Sequence, residues 1–320
     1  MKKATKILIA AGALVLLGCI AFVCIMSAAL DWDFSKLSMS KYETNITKIG
    51  ETFSNIAITS ETADIRFALS DDGKCRVECR EEEKARHSVT VENDTLIVRV
   101  NNRKSWYDYI GFHFGSQKIT VYLPKTVYTA LSIRENTGNI EIPGNFAFAG
   151  ADISISTGDV GFFATARETV RIRTSTGNIN VENTSGGSFD LSVTTGMTTV
   201  AGVTCTGDIT VGVSTGKSYL NDVACKNVIS GGTTGDISLD HVIAAEKLSV
   251  ERSTGDVKLV GCDAAEIRIK TSTGNVTGSL LTDKVFITDT KTGSVDVPKT
   301  ITGGRCEIST GTGDIIIETE

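Results

Sequence analysis

A Thr-Gly dipeptide that returns every 19 or 20 residues constrains this 320-residue chain more than any other feature of its sequence. A fixed short period indicates one structural unit copied along the chain, so it decides the architecture before any local assignment. The C-terminal part of the chain is therefore predicted to be an array of ten units. Their periodic glycines are Gly138, Gly158, Gly177, Gly196, Gly216, Gly235, Gly255, Gly274, Gly293 and Gly313.

Apolar and polar residues alternate on both sides of each periodic glycine, which is typical of β-strands. The fifth residue before the glycine and the second and fourth after it are mostly apolar. Each unit is therefore predicted to form two short strands joined by a turn at the glycine. The seventh residue before the glycine is apolar in all ten units: Leu131, Ala151, Val170, Phe189, Ile209, Val228, Leu248, Ile267, Phe286 and Cys306.

Units of this size cannot bury an apolar face alone, so we expect them to stack in register as rungs of a parallel β-solenoid. The predicted fold is all-β, with about ten rungs over residues 131–320. Asp152, Arg171 and Asp190 fall in one outward position of three successive rungs, where opposite charges become neighbours. Each unit needs a second break to return the chain, and we place these breaks at Gly144, Gly161, Gly186, Asn221, Asp240, Gly261, Gly278 and Pro298.

The turn residues have a conformational explanation. Gly adopts positive φ without steric cost, and the Asp or Asn that follows it in most units accepts hydrogen bonds from nearby backbone N–H groups. A calcium-binding ladder is the alternative, but Met197 and Lys217 interrupt the acidic column. Alternation places the Thr before each glycine on the inward side, as a ladder of stacked hydroxyls. Ice binding by Thr-x-Thr pairs is the alternative there, and Glu135, Gly232 and Arg252 interrupt that pattern.

The N-terminus predicts a membrane anchor. Residues 7–30 contain no charged side chain and are long enough for a helix to cross a hydrocarbon core of about 30 Å. Lys2, Lys3 and Lys6 precede this stretch and Asp31 follows it. The positive-inside rule then places the N-terminus in the cytoplasm and the rest of the chain outside.

Two processing alternatives to a retained anchor stay open. The sequence before Cys19 loosely matches a lipoprotein cleavage box, and residues 27–29 resemble a signal-peptidase site. The favoured interpretation is a single-pass protein of the cell membrane, with an anchor over residues 1–30 and a membrane-proximal stalk over residues 31–50.

Residues 51–130 also alternate apolar and polar side chains but lack the Thr-Gly repeat, and their breaks are typical of hairpin turns. We expect a β cap with antiparallel strands that covers the unpaired edge of the first rung. An aromatic cluster inside it is the candidate contact surface, either for glycan rings or for a lipid interface, although the favoured interpretation is a plug that fills the solenoid end. Its residues are Trp106, Tyr107, Tyr109, Phe112, His113 and Phe114.

The sequence predicts no catalytic residue, no metal site and no cofactor. Residues 212–216 match the nucleophile elbow of hydrolases, but Ser214 occupies a repeat position that serine also fills in other units. The three histidines, His87, His113 and His241, are scattered, and we expect them at the surface or in loops. A net charge of −6 provides no basic footprint for nucleic acid.

The eight cysteines show no disulfide framework. Cys75 and Cys79 lie four residues apart in a predicted strand, too far for a bond between them. Cys205 and Cys225 would stack one rung apart, with parallel side chains that disfavour a disulfide. We expect these four residues to be small buried side chains.

Several short segments follow one another in a characteristic order along the chain. They are Glu51–Phe53, Ala63–Ile65, Val91–Asn93, Trp106 with Gly111–Gly115, Ile119–Pro124 and the repeated Ser-Thr-Gly-Asp. This ordered set resembles the DUF4097 family of adhesin-like bacterial proteins. The resemblance covers about residues 50–320 and implies an envelope β-solenoid, often membrane-anchored, with no established activity and no catalytic residues to transfer. Some similar proteins are linked to envelope-stress modules.

Together these observations predict a non-enzymatic, membrane-anchored, extracytoplasmic β-solenoid that provides an adhesin-like interaction surface at the bacterial cell envelope. Its partners would be the membrane, through the N-terminal helix, and envelope glycans or membrane proteins. Two alternatives stay open: an accessory or sensing component of an envelope-stress module, and a carbohydrate-active enzyme on a β-helix.

Overall fold

A computed structural model of the chain describes residues 3–29, 41–109 and 115–320. One helix, α1, occupies Lys3–Ala29. In the described residues, no helix combines the length and the apolar character needed to cross a membrane. The membrane-spanning helix predicted over residues 7–30 is therefore not confirmed.

The first seven strands and a short 3-10 helix precede the Thr-Gly units. They are β1 (Tyr42–Ile49), β2 (Asn55–Thr59), β3 (Asp64–Leu69), β4 (Cys75–Glu82), β5 (Ala85–Glu92), β6 (Thr95–Asn102), the 3-10 helix η1 (Trp106–Tyr109) and β7 (Lys118–Leu123).

The repeat units supply the remaining strands. The first eight are β8 (Val127–Thr137), β9 (Ile140–Ile142), β10 (Ala147–Thr157), β11 (Val160–Phe162), β12 (Thr165–Thr176), β13 (Ile179–Thr195), β14 (Thr198–Cys205) and β15 (Asp208–Thr215). The last eight are β16 (Ser218–Thr234), β17 (Ile237–Thr254), β18 (Val257–Thr273), β19 (Val276–Leu280), β20 (Lys284–Thr292), β21 (Val295–Asp296), β22 (Gly304–Thr312) and β23 (Ile315–Thr319).

The strands wind into a parallel β-solenoid, as predicted. The chain segments before the turns form one face, stacked as β6, β2, β8, β10, β12, β13, β15, β16, β17, β18, β22 and β20. The segments after the turns form the second face, stacked as β7, β3, β9, β11, β13, β14, β16, β17, β18, β19, β23 and β21. All these pairings are parallel, and local bulges shift the register within five of them.

Antiparallel strands extend both faces at the N-terminal end of the stack. Strand β5 pairs with β6, while β4 pairs with β7 and β1 with β4. Strands β4 and β5 lie in the region predicted to form the cap. Strand β1 lies in residues 31–50, which the sequence analysis assigned to a membrane-proximal stalk, and it pairs with β4 as part of the same cap. However, β2, β3, β6 and β7, which the sequence analysis also assigned to the cap region, are parallel strands of two additional coils.

The coils at both ends of the stack are out of sequence order. The coil of β2 and β3 lies between the coil of β6 and β7 and that of β8 and β9. At the other end, the last coil, β22 and β23, is inserted between β18–β19 and β20–β21. The prediction that successive repeat units stack directly on one another is therefore wrong at the C-terminal end, whereas at the N-terminal end the sequence analysis predicted a cap and no coils. Because the last coil is inserted one position inward, β22 and β23 have hydrogen-bonded neighbours on both sides. Strands β20 and β21 form the edge of the stack in the described part of the chain.

The Thr-Gly corner brings adjacent coils into backbone contact. Gly158 and Gly216 have φ values of 138° and 137°, a region that favours glycine. A Cβ atom on Gly158 would lie 1.7 Å from the carbonyl oxygen of Gly138, and one on Gly216 would lie 1.7 Å from that of Gly196. No side chain fits at this corner, so both the backbone conformation and the spacing of the coils require glycine.

The Asp or Asn after the glycine links one coil to the next. The Asn139 Oδ1 accepts the N–H of Asp159 at 3.0 Å, and the Asp159 Oδ1 accepts the N–H of Asn178 at 2.8 Å. Further along, the Asp256 Oδ1 accepts the N–H of Asn275 at 2.7 Å. The side chains thus satisfy backbone donors at the corner, as predicted. Alternation of Asp with neutral Asn also limits repulsion along the column.

The inward orientation predicted for the Thr before each glycine is wrong. Ser156 and Thr157 are both exposed, and the same two positions are exposed in most other units. Alternation is interrupted at Ser156, which the ladder of paired residues between β10 and β12 omits between Ile155 and Thr157. The inward hydroxyl belongs instead to the third residue before it: Thr174 Oγ1 donates to the carbonyl oxygen of Gly158 at 3.4 Å, and Thr310 Oγ1 to that of Gly274 at 3.0 Å.

The second corner also differs in part from its predicted position. In the central coils it is a column of residues with left-handed backbone conformation: Asn183, Gly202, Asp222, His241 and Gly261, with φ between 50° and 60°. Gly261 matches its predicted break, whereas the predicted breaks at Asn221 and Asp240 lie one residue too early. Gly161 and Gly186 lie inside strands β11 and β13. Short polar side chains tolerate this conformation, which explains most of the column.

One continuous apolar core fills the solenoid. The column seven residues before the glycine is buried, from Leu131 to Ile267 and again at Cys306, with Phe286 half-buried in the edge coil. Outside, Asp152, Arg171 and Asp190 stack in adjacent coils as predicted, and Arg171 Nε lies 2.9 Å from the Asp190 carboxylate.

We expect Gly216→Ala to destabilise the protein by about 2 kcal/mol or more, because it adds both left-handed strain and the backbone overlap. Gly231→Ala is the matched control, since a Cβ on Gly231 meets nothing within 4 Å. Urea unfolding followed by circular dichroism should separate the two variants. Equal stabilities would contradict the close approach of the coils at the Thr-Gly corner.

The exchanged order of the last coils predicts an unusual pattern of hydrogen exchange. Strand β22 lies between β18 and β20, whereas β20 has a strand on one side only. Amides of β22 should therefore exchange more slowly than those of β20, although β22 is nearer the C-terminus. Exchange measured by mass spectrometry on peptides from the two strands tests this, and faster exchange in β22 would argue for consecutive stacking.

Candidate functional site

The predicted contact surface falls between β6 and β7 in the sequence, at the position where the repeat units have their Thr-Gly turn. This aromatic loop, residues 103–117, connects β6 to β7. The structure brings Trp106, Tyr107 and Tyr109 together in η1, a single turn of 3-10 helix. Phe112, His113 and Phe114 lie outside the described residues.

Polar contacts hold the start of the aromatic loop against the cap. The Asp108 carboxylate accepts the N–H of Ser105 at 2.8 Å and forms an ion pair with Lys84 in the β4–β5 turn. The hydrogen bond from Lys84 is the main cause that lowers the pKa of Asp108. Lys104 Nζ lies 2.6 Å from the Glu82 carboxylate. Two connections to one hairpin therefore fix the orientation of η1.

Trp106 is 76% exposed, so it does not fill the end of the solenoid. Buried apolar residues of the cap and the adjoining coil do so instead, among them Val77 of β4 and Val121 of β7. A large aromatic side chain that is exposed on a fixed turn is typical of a contact surface. The geometry of Trp106 therefore favours the contact-surface interpretation over the plug.

Beneath the cap hairpin lies a buried polar network that the sequence analysis missed. His87 Nδ1 lies 2.8 Å from Glu81 Oε2, and Ser60 Oγ lies 3.0 Å from His87 Nε2. The other Glu81 oxygen accepts a hydrogen bond from Asn45 Nδ2 at 2.8 Å. The His87 side chain is fully buried, so the prediction of a surface or loop position for it is wrong. By contrast, His241 is exposed beside Asp240.

Glu135 extends this network toward the first Thr-Gly corner. It is buried on β8, and its Oε1 accepts the N–H of Asn136 at 3.0 Å. Burial raises the pKa of Glu135 to about 7, although hydrogen bonds from backbone N–H groups and from Ser60 act in the opposite direction. Its Oε2 atom has no hydrogen-bond partner.

Ser60, His87 and Glu81 have the hydrogen-bond order of a nucleophile, a base and an orienting carboxylate. Ser60 is only 4% exposed, however, and a reacting carbonyl must reach within about 3 Å of a nucleophile. The geometry therefore suits proton sharing inside the cap rather than attack on a substrate. Ser214 of the apparent nucleophile elbow ends a strand that leads into strand β16, without the helix that this motif requires.

The charged groups on the outer faces of the coils are mostly paired across coils. Arg173 lies 3.6 Å from Asp190 and 3.9 Å from Asp152, and Lys217 lies 3.1 Å from Asp236. Glycoside hydrolysis needs two carboxyl groups converging on one bond. Dispersed ion pairs of this kind do not provide such an arrangement.

We expect Glu135→Gln to change the pH dependence of stability. Because its pKa is raised, Glu135 keeps its proton in the folded state between about pH 4.5 and 7, where the unfolded state releases it. Its contribution to stability is therefore complete below about pH 4.5 and is lost as the pH rises to about 7. The free energy of unfolding of the variant should therefore exceed that of the native protein by up to about 3 kcal/mol near pH 8, and the two should be equal near pH 4.5. Urea unfolding across this range tests the prediction, and a pH-independent difference between the two proteins would contradict it.

Comparisons with known proteins agree with the architecture. Residues 53–213 match the family model described as Toastrack DUF4097. A candidate adhesin from Parabacteroides merdae is 14% identical, covers 77% of this chain and 98% of its own, and superposes with a TM-score of 0.52. A candidate adhesin from Bacteroides fragilis is 16% identical and covers 87% of this chain and 97% of its own, with a TM-score of 0.44.

A candidate lipid-binding protein from Parabacteroides distasonis is 13% identical and covers 88% of this chain and 98% of its own, with a TM-score of 0.41. No curated protein matches the chain. At these identities the likeness of the Parabacteroides merdae protein shows the fold alone. The family model spans half of the sequence, including the cap region, the aromatic loop and the first Thr-Gly units, and the chain accordingly belongs to the DUF4097 family.

Proposed function

We propose that this protein is a non-enzymatic, adhesin-like β-solenoid that presents an interaction surface at the bacterial cell envelope. Family membership and a fold shared with a candidate adhesin support this general role. The observation that carries the specific proposal is Trp106, which is 76% exposed on a turn that Lys84 and Lys104 fix to the cap. The solenoid serves as the rigid support, and the aromatic loop makes the contact.

Envelope glycans are the partner class that this surface fits best. The face of an indole ring packs on the apolar C–H face of a sugar, and polar groups nearby bind its hydroxyls. Lys84, Lys104 and Asp108 supply such polar groups around η1. The paired charges along the coils also favour a binding role over a hydrolytic one.

We further propose that α1 attaches the chain to the cell membrane, with the solenoid on the outer side. Eight large apolar side chains of α1 are exposed, which supports contact with lipid. They are Leu14, Val15, Leu16, Leu17, Ile20, Phe22, Val23 and Ile25.

The test is a binding screen of the full chain, in mild detergent, against envelope glycans and peptidoglycan. Trp106→Ala should weaken binding at least tenfold, equivalent to about 1.4 kcal/mol, because it removes the stacking face. Tyr109→Ala tests the second aromatic of η1. Tyr219→Ala, which removes an exposed aromatic from the distant strand β16, is the matched control and should bind like the native protein.

Unchanged binding by Trp106→Ala would overturn the aromatic-loop proposal. The same protein, expressed in cells, should sediment with membranes and be digested by protease added to intact cells; recovery in the soluble fraction would overturn the attachment proposal. An adhesin should retain its activity when α1 is exchanged for an unrelated anchor. Loss of activity on that exchange would favour the envelope-stress accessory role.

A further inference from the structure

Three metal-ligating side chains converge inside the cap. Cys79 and Glu81 lie two residues apart on β4 and point into the core, and His87 comes from β5 after the hairpin turn. The thiol sulfur, a carboxylate oxygen and a ring nitrogen of this cap cluster all lie within 4.8 Å of one another. Each of the three side chains is at least 98% buried.

We propose that Cys79, Glu81 and His87 form a binding site for a divalent transition-metal ion, with zinc as the best match. Sulfur, imidazole nitrogen and carboxylate oxygen are the donors that zinc takes in proteins. Calcium and magnesium are poor matches because they prefer a shell of oxygen atoms. One thiolate and one carboxylate balance the charge of one divalent ion, which matters in an apolar interior.

The geometry of the cluster needs only a small adjustment. In a tetrahedral zinc site with bonds of about 2.0 to 2.3 Å, donor atoms lie roughly 3.3 to 3.8 Å apart. The His87 Nδ1 and Glu81 Oε2 atoms are already 2.8 Å apart, and the widest separation in the cluster is below 4.8 Å. Shifts of about 1 Å or less therefore bring the three donors around one ion.

The surroundings of the cluster orient its ligands. Asn45 Nδ2 holds the second Glu81 oxygen at 2.8 Å, which directs Oε2 toward the cluster. On the far side of the imidazole, Ser60 Oγ lies 3.0 Å from Nε2 and also interacts with the Glu135 carboxylate. When Nδ1 binds the ion, Nε2 carries the ring proton and its N–H group donates a hydrogen bond to Ser60 Oγ. The Ser60 hydroxyl in turn donates a hydrogen bond to Glu135. Metal-bound histidines are commonly oriented by such a polar chain.

Metal binding changes the protonation state of the thiol. Burial, with a contribution from Glu81, raises the pKa of Cys79 to about 12, so the thiol keeps its proton when no metal is bound. Coordination replaces the S–H bond with a sulfur–metal bond and releases one proton to solvent, with no change in oxidation state. Because the donors are buried, the ion enters most readily while the cap folds.

The test is to unfold the full chain, refold it with Co²⁺ or Zn²⁺, and measure retained metal after gel filtration. We expect one ion per chain and, with Co²⁺, the thiolate-to-cobalt absorption band. Cys79→Ser should abolish that band, and His87→Asn should weaken binding at least tenfold. Cys75→Ser is the matched control: Cys75 is also buried on β4, and burial raises its pKa to about 12, but it lies outside the cluster.

Circular dichroism of each variant establishes whether it folds, and zinc-dependent thermal stabilisation provides a readout independent of the absorption band. Zinc should raise the Tm of the native protein and of Cys75→Ser but not that of Cys79→Ser. The proposal is overturned if the refolded native chain retains no metal. It is equally overturned if Cys79→Ser retains the same amount of metal with the same cobalt spectrum.

Discussion

The close contact between backbones at the Thr-Gly corner is the constraint on which the rest of the structure depends. At this corner the glycine of one coil lies against the carbonyl oxygen of the equivalent glycine in the next, at a distance that leaves no room for a Cβ. Hydrogen bonds across the corner, such as Gly158 N–H to Thr176 O at 2.9 Å, hold the coils in register. Any slip in register would place a side chain at this point, so the corner aligns the apolar columns and the charged columns together.

A solenoid must also protect its ends, and this protein does so differently at each one. At the N-terminal end, the antiparallel strands β1, β4 and β5 continue the two faces of the stack. At the other end, the last coil is inserted one position inward, so its strands pair on both sides. The cap is also where the polar network of Glu81, His87 and Ser60 is buried. The β4–β5 hairpin does not follow the Thr-Gly repeat, so its inward positions hold polar side chains as well as apolar ones.

Sequence reasoning predicts the solenoid well because each unit repeats the same inward apolar positions and the same glycine turn. Ten copies of one pattern identify the inward columns, and the outward stack of Asp152, Arg171 and Asp190 follows from them. Prediction fails where alternation is interrupted. Thr157 and its equivalents are exposed because alternation is interrupted at the residue before them, which period-2 counting cannot detect. The buried His87 was missed because its partner Ser60 lies 27 residues away and meets it only through the pairing of β5, β6 and β2.

The sequence by itself determined the β-solenoid, the residues that line its core and the need for glycine at the Thr-Gly corner, because these depend on local periodicity and backbone sterics. Only the tertiary structure decided the order of the terminal coils, the outward direction of Trp106 and the convergence of Cys79, Glu81 and His87. These features depend on which distant strands become neighbours, and many strand orders satisfy the same alternation. The hydrogen bonds and burial that select one order arise only when the whole stack is assembled.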